Sequence, residues 1–93
     1  MLRREVAAGS FYPADREELL DNMGEMIDKN QEKCRVFGAV LPHAGYIYSG
    51  KVAGKVLSKI ELPQTAVIIG RNHTGMGKPF SVAVEASWQT ALG

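Results

Sequence analysis

Val36-Phe37-Gly38-Ala39-Val40-Leu41-Pro42-His43 and, further on, Thr65-Ala66-Val67-Ile68-Ile69-Gly70-Arg71-Asn72-His73 decide how this chain is read. Each begins as an apolar run without polar alternation, the pattern of a strand buried on both faces. Each ends in a histidine with a glycine two residues beyond it, Gly45 and Gly75, where the backbone can turn sharply. Between the two runs, Ser49 stands ready to cap a helix whose apolar residues Val52, Ala53, Val56, Leu57 and Ile60 fall at helical spacing, and Leu62-Pro63 ends it. Strand, helix and strand make a βαβ unit of roughly 35 residues. Such a crossover is right-handed and its strands are parallel, so both carboxyl ends lie on one edge of the sheet. The two histidines, the only ones in the chain, are expected to converge at that edge, where open α/β sheets hold their ligands.

Upstream, Ala7-Ala8-Gly9-Ser10-Phe11-Tyr12-Pro13 shows neither helical nor strand periodicity and reads as an ordered loop. Asp15 with Glu18 resembles a capping box, and Leu19, Leu20, Met23, Met26 and Ile27 recur at helical spacing, which predicts an amphipathic helix over 15–30. Downstream, Thr74-Gly75-Met76-Gly77-Lys78-Pro79 reads as a flexible loop and Phe80-Ser81-Val82-Ala83-Val84 as a third strand. No internal repeat or low-complexity tract is present.

With 93 residues there is room for one domain with a thin core. Eleven basic against ten acidic residues leave a net charge of +1, which argues against a nucleic-acid partner. The single Cys34 cannot form an internal disulfide, and Met1-Leu2-Arg3-Arg4-Glu5-Val6 lacks the apolar stretch of a signal peptide. No apolar run approaches the ~20 residues that span a bilayer. A cytoplasmic protein without a membrane segment is the expectation.

The chemistry-bearing residues are few. Imidazole is a good ligand for iron, copper or zinc, and His43 with His73 would supply two of the ligands of a metal centre. Asp15, Glu61 and Glu85 are the carboxylate candidates for a third, though none carries a marking spacing. Asn72 and Tyr46 could donate hydrogen bonds to a reacting oxygen, and Arg71 suits a planar carboxylate. Each also has a plain structural use, Asn72 in a turn, Arg71 in solvent, and Tyr46 and Tyr48 in packing. The glycines and Lys78 around His73 fail both phosphate-loop patterns, because Met76 follows Gly75 and Pro79 follows Lys78. Ser49 lacks the preceding elbow glycine of a nucleophile, and Cys34 lies far in sequence from either histidine.

Four blocks carry a family resemblance: Ala8-Gly9-Ser10-Phe11-Tyr12-Pro13-Ala14-Asp15, Leu41 through Gly50, Asn72-His73-Thr74-Gly75 and Thr90-Ala91-Leu92-Gly93. In order and spacing the chain resembles the N-terminal portion of the Memo family, also called AmmeMemoRadiSam system protein B, whose members are roughly three times longer. The resemblance implies a three-layer α/β fold with a parallel or mixed sheet, similar to the LigB-type class III extradiol dioxygenases that use non-heme iron. It implies that His43 and His73 are metal-site residues and that further ligands lie downstream. Radical SAM and AMMECR1-like proteins are the family's associates. This sequence departs from the family where Arg71 replaces a common proline and where Thr90-Ala91-Leu92 stands for Thr-Pro-Leu.

The combined expectation is one Memo-like domain portion over 1–93, in which His43 and His73 line a pocket for a divalent metal, iron(II) or copper with zinc as a third choice. Tyr46 and Asn72 are the catalytic candidates and Arg71 the substrate-binding one, acting on a small-molecule or peptide ligand in a dioxygenase-like oxidoreductase. The rivals are a non-catalytic module that binds a protein or peptide, and a portion that needs a separate C-terminal half or a homo-oligomer to be complete.

Overall fold

The computed structural model describes residues 1–84 and 86–93; the Glu85 candidate lies outside the described residues. The described elements are β1 (Leu2–Arg3), α1 (Arg16–Met26), α2 (Tyr46–Ser58) and β2 (Ser87–Trp88), an α/β arrangement in which β1 and β2 pair in parallel.

Helix α1 begins where the capping pattern places it. Asp15 has extended backbone and its carboxylate accepts the Glu18 N–H at 3.0 Å, with Glu17 and Glu18 in the first turn suiting the positive end of the helix dipole. The helix stops at Met26, four residues short of the expected end, because Asp28 captures the chain beyond it. The Asp28 carboxylate accepts from the Asn30 N–H and the Gln31 side-chain amide, both at 2.9 Å, an arrangement that competes with helix. The Gln31 amide first, and the Asn30 N–H second, hold the Asp28 carboxyl below the usual carboxylate range. Of the expected apolar stripe, Leu19 is fully packed at 3% exposure, whereas Leu20 on the adjoining side stays exposed.

Helix α2 starts three residues earlier than a Ser49 cap requires. Gly45 is the N-cap, and the Tyr46 N–H, one of the donors a helix start leaves orphaned, donates to the Phe11 carbonyl at 2.7 Å. The loop over residues 7–13 is thus ordered as expected, and its role is to cap α2 from outside. Ser49 lies inside the helix, buried, with its hydroxyl donating to the Ala44 carbonyl at 2.8 Å.

The two helices pack through small residues. Gly50, Gly54 and Ser58 repeat every four positions along α2 and are all buried, and Met26 of α1 sits against both glycines. Ser58 completes the stripe: its hydroxyl donates to the Gly54 carbonyl at 2.6 Å and accepts the Asp28 N–H at 2.8 Å, tying the exit of α1 to the last turn of α2. Ser58→Ala removes that acceptor and leaves a part-buried N–H unpaired. A loss of about 1–3 kcal/mol is expected, read as a lower urea midpoint at unchanged slope; an unmoved midpoint would show that water replaces the hydroxyl.

Beyond α2 the chain returns beside residue 34. Cys34 and Ile60 form one parallel bridge, with Cys34 N–H to the Lys59 carbonyl and Glu61 N–H to the Cys34 carbonyl, each 2.9 Å. The βαβ connection is therefore present at its base. The ladder expected between Val36–Leu41 and Thr65–Ile69 does not extend past it, and Phe80–Val84 is likewise no strand; the strand in that region is β2, at Ser87–Trp88. The reason lies in the composition of those runs. Strands apolar on both faces need a layer over each face, and here the two helices pack on each other while residues 36–41, 61–84 and their side chains stay exposed.

At the chain ends, the Ser87 N–H donates to the Met1 carbonyl and the Gln89 N–H to the Arg3 carbonyl, and the Arg3 guanidinium lies 4.5 Å from the Trp88 ring centre. Arg16 at the start of α1 donates to the Leu92 carbonyl at 2.6 Å, so the last residues dock onto the first helix.

Candidate functional site

Both histidines lie just past the apolar runs, and the structure brings them together: the His43 and His73 rings have centroids 4.9 Å apart and planes inclined at 31°. Thirty residues of sequence separate them, and the parallel return at Cys34 and Ile60 is what carries the second run back alongside the first. Both rings are exposed.

The loop that carries His73 is built by Asn72. Its side-chain oxygen accepts from the Thr74 N–H at 3.1 Å and the Gly75 N–H at 2.9 Å, and its amide donates to the Met76 carbonyl at 2.9 Å. The Asn72 side chain thus takes the place of a backbone turn. Gly75 follows with φ of 70°, the left-handed conformation that lets the loop reverse, and Thr74 Oγ1 accepts the Met76 N–H at 3.3 Å. The Asn72 amide is aimed at the loop, and it orders the backbone on either side of His73. Arg71, immediately before it, is exposed.

Tyr46 begins α2 three residues after His43, half-buried, with its ring 5.7 Å from that of Tyr12. Tyr12, Tyr46, Phe11, Met23, Pro42 and His43 border an apolar groove of about 420 Å³ between the loop at residues 7–13 and the two helices. The first histidine therefore sits at the rim of an apolar depression. Asp15 is engaged as the cap of α1, and the Glu61 backbone closes the bridge to Cys34. Among the described residues, no group of three or more His, Cys, Asp or Glu side chains comes together. The paired imidazoles are the ligand-bearing groups that the structure joins.

A Memo-like protein model matches residues 3–93 of this chain. The chain belongs to the Memo-like family. A MEMO1 family protein of Aquifex aeolicus is 45% identical over 93 residues, covering 99% of this chain and 35% of that protein. One from Archaeoglobus fulgidus is 46% identical over 92 residues, covering 99% of this chain and 34% of its own length. A third, from Methanopyrus kandleri, is 41% identical over 106 residues, covering the whole of this chain and 38% of itself. This Memo-like chain spans about a third of the length of the curated relatives it matches. No solved structure matches it.

The residues that sequence reasoning left unassigned are the packing ones. Gly50, Gly54 and Ser58 are spaced four apart, a small-residue stripe legible in the sequence once α2 is drawn as a helix. The Phe11 carbonyl that caps α2 carries no sequence signal, since any residue type supplies a carbonyl. Among the described residues, no helix is long and apolar enough to cross a membrane.

Proposed function

We propose that His43 and His73 are two ligands of a divalent-metal pocket in a Memo-like protein related to the non-heme-iron extradiol dioxygenases, working in the cytoplasm. The observation that supports this reading is the approach of the two rings to 4.9 Å at the ends of two apolar runs joined by a parallel return. Imidazole nitrogens suit iron(II) and copper, and also zinc; the described residues supply these two ligands without a clustered third, so the set is partial. A metal there would act as a Lewis acid toward a substrate oxygen. The chain's own residues do the rest. Asn72 holds the loop so that His73 faces His43, Tyr46 lies at the apolar groove beside His43, and Arg71 offers a fork of donors to an anionic substrate group. The finer fold in this reading is a LigB-like three-layer sheet with both histidines at one edge.

The test is calorimetric titration of iron(II) without oxygen, copper(II) and zinc(II) into the wild type, His43→Ala, His73→Ala and the double variant. Each single variant is expected to bind at least tenfold more weakly, and the double variant not to bind measurably. Because both rings are exposed, far-UV circular dichroism should not change. Unchanged binding in the double variant would sink the metal reading.

A further inference from the structure

The largest unexplained feature of the molecule is its surface. A compact monomer of 10.1 kDa exposes about 5,300 Å², whereas this chain exposes 8547 Å². Its radius of gyration, 14.5 Å, likewise exceeds the roughly 12–13 Å of a packed domain of this size. The excess is concentrated in residues 36–41, 66–69 and 80–84, which are extended and exposed, and within them the adjacent Ile68 and Ile69 are each 92% exposed. Adjacent residues of an extended segment point to opposite faces, so both faces of 66–69 are uncovered. Among the described residues no backbone ladder joins these three segments. Their edges are open as well.

We infer that these three segments form a docking surface for a companion polypeptide equivalent to the part of the longer Memo-like proteins outside the matched stretch, which adds strands to the edges and a layer to each face. Three observations favour this occupant over a second copy. The curated relatives carry about two-thirds of their length outside the stretch that matches, enough chain for several further elements. The excess area, on the order of 3,000 Å² on this chain alone, is several times the ~800 Å² per partner of a standard interface and is in the range of permanent assemblies. A second copy brings only α1 and α2, which already pack on each other, so it has no free helical layer for the second face of the apolar segments. The inference is independent of the metal reading and alters neither histidine.

The experiment co-expresses the full 93-residue chain with the segment of the Aquifex aeolicus relative that lies outside the match. Light scattering after size exclusion should give a 1:1 complex, and amide exchange at 36–41, 66–69 and 80–84 should slow by at least 100-fold relative to the chain alone. Ile68→Lys should abolish the complex while the helical circular dichroism of the chain is retained. Absence of a complex, a stable homodimer of the chain with those amides protected, or a monomer in which they are already protected would each overturn the inference.

Discussion

Gly54→Ala should push the two helices apart and lower stability by about 2 kcal/mol. The sign is a contest. In an exposed helix interior, alanine is worth ~1 kcal/mol over glycine, which favours the variant. Against that, a Cβ at Gly54 would lie 2.7 Å from the Met26 carbonyl carbon and 2.8 Å from its Cβ, with the Met26 carbonyl oxygen closer still. The obstruction is backbone at the last turn of α1, which cannot swing aside, and overpacking of this kind costs typically 1–3 kcal/mol, here at the upper end. Gly50→Ala is the matched control. Its Cβ meets the Met26 sulfur at 2.5 Å and methyl at 2.6 Å, the far end of a flexible side chain that can rotate away. Thermal unfolding followed at 222 nm should therefore show a drop of several degrees for Gly54→Ala and a much smaller change for Gly50→Ala. Equal melting of the two variants would mean that the helices do not approach as closely as described.

Leu19→Ala should be the most damaging single truncation, at about 2–5 kcal/mol. Leu19 is 3% exposed and, with Ile60, forms the fully buried apolar set of the described residues. Most other large apolar side chains stand partly or wholly in water, so few neighbours can move in to fill the space it leaves. A thin core concentrates its stability in few residues. For a domain of this size, the cost corresponds to a melting point lower by roughly 10 °C or more. Leu20→Ala, one position on and exposed, should change it by less than about 0.5 kcal/mol. A loss at Leu20 comparable to that at Leu19 would show that the stripe faces the other way.

How far the sequence reaches depends on whether a signal is local. Asp15 and Glu18 are three residues apart and announce the start of α1 without help from the rest of the chain. The small-residue spacing of Gly50, Gly54 and Ser58 is equally local. The βαβ reading places His43 near His73, and the rings do meet, because a parallel return needs only the bridge at Cys34 and Ile60 to align the two runs. The ladder itself is a different matter. Val67, Ile68 and Ile69 have the composition of a doubly covered strand, but composition states what a segment requires and not whether the requirement is met within the same chain. The capping of α2 shows the same limit on a smaller scale. Ser49 is a good local cap, yet Gly45 takes the position because the distant Phe11 carbonyl satisfies the Tyr46 N–H. Asn72 was legible as a turn former and as a donor toward a site; its contacts place it in the turn.

The pairing of β1 with β2 bears on the order in which the molecule assembles. Leu2–Arg3 and Ser87–Trp88 close a loop that takes in almost the whole chain, at an entropic cost on the order of 4 kcal/mol. The ladder bonds and the Arg3–Trp88 contact return about 1 kcal/mol each, less than that cost when nothing else is formed. The ends can therefore zip only after α1, α2 and the return at Ile60 have shortened the path between them. Trp88, the one tryptophan, thus reports in its fluorescence on the final step of folding rather than the first.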